Sequence, residues 1–219
     1  MKKYELLVDD TITFFGVQLF RIKALISFSG IEKGEVGGYI ASEKNLSQYG
    51  DAWVYGNAWV YGNARVYGNA EVYGDAEVYD NAWVSDNARV YDNARVYGNA
   101  WVYDNAEVYG DAEVYGDAEV YDNARVYGNA EVYDNAEVYG DARVSDNADY
   151  IVFKNTWSSG RYFTYTKSNR KWRVGCFYGS GAELVEKAYK DSKKSGDFYK
   201  AYVDFVEKLE AIEDIHKEQ

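Results

Sequence analysis

The sequence predicts a mainly β protein centred on a parallel β-helix, and three observations lead there. The unit A-x-V-Y-[GD]-[ND] recurs without insertion from Ala52 through Val144, giving sixteen A-x-V units with Leu46 and Ala148 in phase at the ends. A fixed period of six is the pattern of a hexapeptide β-helix, in which rungs too short to bury anything alone stack into one core. The 219 residues include no proline, as expected where every interior strand needs its N–H for a ladder.

Each position of the unit has a physical reason. Strand alternation turns Ala and Val to one side and x to the other. The [GD]-[ND] pair makes the corner, because Gly, Asn and Asp tolerate positive φ. From Gly50-Asp51 to Asp146-Asn147 the pair is GN, GD or DN and never DD. Corners stack on corners, so doubled carboxylates would add repulsion in each column. A Ca²⁺ site needs about six to eight converging oxygens. Neutral Asn and Gly interrupt every column, and no metal or other cofactor is expected.

The ends read differently. KYELLVDDTITFFGVQLFRIKALISF, near the N-terminus, reads as two strands that cap the open sheet edge of the helix. Residues 1–45 form this capping segment, 46–153 the repeat, and 154–219 a C-terminal hairpin and helical domain. DYIVFKNTWSSGRYFTYTKSNRKWRVGCFYGS reads as a final strand and a hairpin turning at Lys167-Ser168-Asn169. Two helices follow. The first opens on the capping box Ser180-Gly181-Ala182-Glu183 and ends near Ser195-Gly196. The second carries the apolar stripe Phe198, Tyr202, Phe205, Leu209, Ile212, which reads as core. The only cysteine, Cys176, lies in the apolar run WRVGCFY and reads as a buried thiol; a reducing compartment fits. Asp9 and Asp10 break up any signal-peptide core, and no run of about 18 apolar residues exists. The cytoplasm is the expected location.

V-Y-G-N-A-x, with an aliphatic residue and a small one four positions later, resembles the left-handed parallel β-helix of hexapeptide-repeat proteins. In that family three hexads make one triangular coil of 18 residues. The resemblance implies about six coils between Leu46 and Phe153, a rod about 29 Å long at one strand spacing per coil, with the N-terminal β cap and the hairpin and two-helix cap at its ends. Hexapeptide-repeat enzymes use a histidine base or three histidines on zinc. This chain has one histidine, His216, outside the repeat. An acyltransferase is therefore the weakest of the functional readings, and no catalytic residue is assigned. GGYI, NLSQYGDAWVYGNA and WSSGRYFTYTKSNRKWRVGCFYGSGAELVEKAY resemble bacteriophage and prophage proteins built on YGNA-x-V repeats, a group that supplies no catalytic residues to carry over. If the chain is phage-encoded, its cytoplasm is the host's.

With 18 residues per coil, the x positions fall into three columns. The first is Trp53, Glu71, Arg89, Glu107, Arg125, Arg143. The second is Trp59, Glu77, Arg95, Glu113, Glu131, Asp149, and the third Arg65, Trp83, Trp101, Glu119, Glu137. Alternating charges read as solvated ladders that set register. Arg65, Trp83 and Trp101 read as a protein interface, with a partner or with a second copy of the chain. Trp53 and Trp59 are expected under local cover from the N-terminal segment, and the Tyr columns as structural stacks.

A second candidate surface is the basic-aromatic tip. Arg161, Tyr162, Tyr165, Lys167, Arg170, Trp172 and Arg173 combine cations that suit phosphate with rings that suit a base, so a nucleotide-like ligand is one expectation. The alternatives are rings that cap the last coil beside solvated cations, or a basic tip that meets the acidic repeat of another copy. Net charge is −12, and residues 46–149 hold 13 Asp and 7 Glu against 5 Arg. Direct nucleic-acid binding is not expected of such a surface, nor is a membrane.

Four functional expectations follow. The foremost is a non-enzymatic protein that binds and inhibits a host protein, an immune effector or one that handles nucleic acid, by presenting a nucleic-acid-like charge surface. A nucleotide-signal binder at the tip is the alternative. A structural virion part and the acyltransferase complete the set, and a homo-oligomer is expected.

Overall fold

The computed structural model describes residues 2–217. The chain divides into two compact units, residues 1–150 and 151–219. The N-terminal segment therefore belongs to the same unit as the repeat.

In the first unit the sixteen x-V pairs, Trp53–Val54 through Arg143–Val144, form sixteen two-residue strands, β4 to β19. Strands three apart in sequence pair in parallel, x on x and Val on Val, as Arg89 and Val90 do with Glu107 and Val108. The result is a β-solenoid with three sheets, each carrying one of the columns read from the sequence. The Ala and Val of every unit are at most 1% exposed, so the core is two small side chains repeated. The x N–H donates to the Ala carbonyl one coil on (Trp53 N to Ala70 O, 3.0 Å) and the Tyr N–H to the Val carbonyl (Tyr55 N to Val72 O, 2.8 Å). That ladder is the reason proline is excluded.

The first corner residue adopts positive φ, +56° to +60° where it is Asp80, Asp86, Asp92, Asp104, Asp122 or Asp134, and +73° at Gly74. Asp does something Gly cannot. The Asp80 carboxylate accepts from the Gly98 N–H at 3.4 Å and that of Asp92 from the Gly110 N–H at 3.3 Å, each one coil on. The second corner residues form amide ladders, Asn63 to Asn81 to Asn99 to Asp117.

The N-terminal stretch forms the two expected strands, and a third follows in GEVGGYI. β1 (Tyr4–Phe14) pairs antiparallel with β2 (Val17–Ala24), and β2 with β3 (Val36–Ile40). β3 then runs parallel to Trp59–Val60, so the segment extends the second face of the solenoid. The glycine pair in GGYI permits this approach: a Cβ on Gly37 would lie 2.5 Å from Val54 O, and one on Gly38 2.6 Å from Ala58 O. Trp53 is fully buried under Tyr4 and Phe28, and Phe14 packs edge-on against Trp59 at 5.0 Å.

At the other end of the repeat the expected eighteenth hexad is not a rung. Asn147–Asp149 is a 3₁₀ turn, in which Asp149 turns back to accept from the N–H groups of Ser145 (2.7 Å) and Asp146 (3.1 Å). Asp149 therefore leaves the second column.

The second unit is a four-stranded sheet, β20 (Tyr150–Lys154), β21 (Tyr162–Thr166), β22 (Lys171–Val174) and β23 (Phe177–Gly179), with α1 (Gly181–Asp191) and α2 (Lys193–Lys217). β20 lies beside β21, so the strand assigned to the end of the repeat opens the C-terminal sheet. β21 and β22 form the expected hairpin. The Ser180–Glu183 capping box is present. α1 nevertheless stops at Asp191, and Ser195-Gly196 falls inside α2. Gly196 is there for packing: a Cβ would lie 2.1 Å from the Tyr189 ring. The buried face of α2 is also rotated from the expected stripe, of which Tyr202 still packs against the core. Val203 and Val206 enter the core, while Phe198, Phe205 and Ile212 are 39%, 49% and 53% exposed. β-branched side chains permit the close approach, and the aromatic residues flank it, Phe198 stacking on Trp157 at 4.1 Å. Among the described residues no helix is long and apolar enough to cross a membrane.

Candidate recognition surfaces

Most outward side chains of the solenoid are occupied by one another. Each Tyr sits 16 residues before the x position of the next coil, and at several coils where that x is Glu the hydroxyl donates to it. Tyr55 reaches Glu71 (3.1 Å), Tyr61 Glu77 (3.1 Å), Tyr97 Glu113 (2.8 Å), Tyr103 Glu119 (3.1 Å) and Tyr115 Glu131 (3.0 Å). The rings meanwhile stack along the columns, as Tyr73, Tyr91 and Tyr109 do at 4.7 and 4.8 Å. Glu107 lies 3.4 Å from both Arg89 and Arg125, and Arg95 pairs with Glu113. Stacking and buried hydroxyls have an electrostatic consequence. Burial pushes the Tyr91 and Tyr115 hydroxyls up to about 12, and the adjoining Glu107 and Glu131 carboxylates add to the shift. Among the described residues no three His, Cys, Asp or Glu side chains come together in a way that could hold a metal ion.

The third column is different near its start. Trp83 and Trp101 stack with centroids 5.0 Å apart and planes 4° from parallel. The Arg65 guanidinium lies 5.5 Å from the Trp83 ring, and Tyr67 meets the same ring edge-on at 5.9 Å. Trp101 is 44% exposed. Beside the stack an open groove of about 570 Å³ is lined by Lys44, Ser47, Arg65, Tyr67 and Trp83. The structure thus brings Arg65, Trp83 and Trp101 together as the sequence suggested, and adds Lys44 and Tyr67. Lys44 was missed because it precedes the repeat and has no column of its own.

The basic-aromatic tip is not assembled as expected. Tyr165 and Trp172 are core side chains, 4% and 2% exposed, packed with Phe163, Val174, Leu184, Val203 and Val206. They offer no face to a ligand. The Tyr165 hydroxyl donates to Glu210 at 2.6 Å, Lys167 pairs with Glu213 at 2.6 Å, and Arg170 lies 4.0 Å from Glu210. Two of the cations expected to meet phosphate, Lys167 and Arg170, are thus paired with carboxylates of α2. Tyr162 lies under Lys154, whose Nζ is 5.1 Å from the ring centroid. Arg173 pairs across β22 and β23 with Tyr178 in the sheet register. Arg161, by contrast, lines a cavity. Cys176 is exposed rather than buried, because it occupies the turn between β22 and β23. His216 is exposed on the last turn of α2.

These features define a β-solenoid repeat protein. The chain is similar to the YdcK beta solenoid repeat over residues 58–74, 88–104 and 118–134, all within the run of hexads. No curated protein matches the chain.

Proposed function

We propose that the protein is a non-enzymatic binding protein of a bacteriophage or prophage, and that its solenoid holds a host protein against Arg65, Trp83 and Trp101. The observation that carries this reading is the partly exposed indole pair beside a groove. Elsewhere on the repeat, Tyr hydroxyls and Arg side chains already engage many of the outward Glu residues, leaving them less to offer a partner. Trp and Arg are the side chains that most often anchor protein interfaces. The groove also brings the cations of Lys44 and Arg65 together beside an otherwise acidic repeat. A partner with an apolar anchor next to a carboxylate fits that chemistry.

The acidic run of the same column, Glu119 and Glu137, supports a role for charge in the contact. A host protein that handles nucleic acid, or a defence effector that senses it, would meet a rod as long as about eight to nine base pairs of duplex. Occupying that surface would inhibit the host protein.

The test compares the tagged wild type with a Trp83→Ala, Trp101→Ala variant, each recovered from infected or lysogenic host cells. The wild type should retain one host protein in stoichiometric amount. The variant, losing about 2 kcal/mol or more at the anchor, should bind it roughly 30-fold more weakly. Recovery of the chain alone, or equal recovery by the variant, would overturn the reading.

A further inference from the structure

The second unit contains a cavity of about 310 Å³ that is independent of the proposed interface. Its floor is apolar, built from Val174, Leu184 and Ala188, each at most 3% exposed. Arg161, Lys187, Asp191 and Cys176 supply its polar lining, and Phe177 and Tyr199 bring aromatic rings to it. Local backbone chemistry sets up the mouth. Gly175 and Cys176 form the two-residue turn between β22 and β23, and Gly175 has the positive φ (+55°) that such hairpin turns require at a central position. A Cβ there would meet Arg161 Cδ at 3.6 Å, an ordinary contact distance, so the arginine stem lies against the turn. Lys187 reaches in from α1, its Nζ 5.4 Å from the Phe177 ring centroid.

Two cations, Arg161 and Lys187, share this lining. Lys167, Lys190, Lys193 and Lys200 all sit in ion pairs. Among the described residues, neither Arg161 nor Lys187 forms an ion pair. Asp191 offsets one of the two cations and leaves the lining net positive. The Arg161 charge also reaches Tyr199, where it opposes the upward push that burial gives the hydroxyl.

We propose that this cavity binds a small molecule with a planar apolar body and one anionic group, a carboxylate, sulfonate or phosphate. Arg161 and Lys187 take the anion, since a guanidinium binds such groups in a bidentate fork. Leu184, Val174 and the Phe177 ring take the body. Pockets for small ligands begin at roughly 300 Å³, so the occupant has one or two rings. Cys176, at the mouth, is covered when the site fills.

The single thiol makes the test specific. The probe is 1-anilinonaphthalene-8-sulfonate, applied to the full chain. Binding should be saturable, and at saturation maleimide labelling of Cys176 should slow at least fivefold. N-phenyl-1-naphthylamine, which lacks the sulfonate, should bind at least tenfold more weakly. The Arg161→Ala, Lys187→Ala variant should lose tenfold or more in affinity for the sulfonate while its circular dichroism and melting temperature stay unchanged. An unaltered labelling rate would place the probe elsewhere, for example on the exposed Phe198 and Phe205 rings, and would overturn the site. Equal affinity for the neutral probe, or for the variant, would overturn the assignment of the anion to the two cations.

Discussion

Tyr103 serves two neighbours at once: its ring stacks on Tyr121 at 4.8 Å and its hydroxyl donates to Glu119 at 3.1 Å. Glu119 lies one rung from Glu137 in the same column, so the hydroxyl offsets part of a like-charge repulsion. Tyr103→Phe keeps the stack and removes that donor. It should cost about 1 kcal/mol in urea unfolding, whereas Tyr103→Ala should cost more because the stack goes too. The same side chains make stability depend on alkaline pH. Burial holds the Tyr79, Tyr91 and Tyr115 hydroxyls at about 12 in the folded chain, against about 10 when unfolded. A raised pKa favours the protonated native state, so this contribution is fully present below pH ~10 and is lost as pH climbs toward 12. The melting temperature should change little through neutral pH and then fall steeply above pH ~10. Phenolate absorbance should rise together with unfolding, not before it.

At the scale of elements, the corner is the best place to separate conformation from contact. Asp80 holds φ at +57° and accepts from the Gly98 N–H. Asp80→Gly relieves the backbone and loses only a long hydrogen bond, so its net effect should be within about 0.5 kcal/mol. Asp80→Ala loses the bond and keeps the unfavourable φ, and should cost about 1–2 kcal/mol. Denaturant midpoints of the two variants check this, and equal values would mean that φ is not what the corner selects. Elements of this kind were legible in the sequence because a β-solenoid repeats every contact at a fixed offset. Pairing, columns and corners all follow from a spacing of 18, as Arg89 with Glu107 illustrates. The second unit has no such offset. Lys167 and Arg170 look available in a local window, yet their partners Glu213 and Glu210 lie some forty residues on in α2. Nor could periodicity choose between two helix faces that both carry large apolar residues, so the stripe through Phe198 and Phe205 stood in for the face that holds Val203 and Val206. Gly196 resembled a helix stop because glycine ends helices more often than it admits a ring such as that of Tyr189.

For the whole molecule, two cores predict two separable transitions. Trp172 belongs only to the core of the second unit. Trp172→Ala should remove about 3–5 kcal/mol there. Hydrogen exchange should then show lost protection across residues 151–217 while the Ala and Val rungs of the solenoid stay protected; loss throughout would mean that the two units unfold as one. The spacing of 18 has a last consequence, for chain length. Excising residues 112–129 removes one full turn and juxtaposes Arg95 with Glu131, Trp101 with Glu137, and Glu107 with Arg143, the same kinds of neighbours each had before. A shortened chain should fold with its outer pattern unchanged. Excising only 112–117 keeps Ala and Val inside but moves every later letter to the next face, setting Glu107 beside Glu131. In-frame losses and gains of a whole turn are thus nearly silent, while those of a single hexad rewrite the surface, so slippage between near-identical repeats gives such a gene a ready means of changing its length.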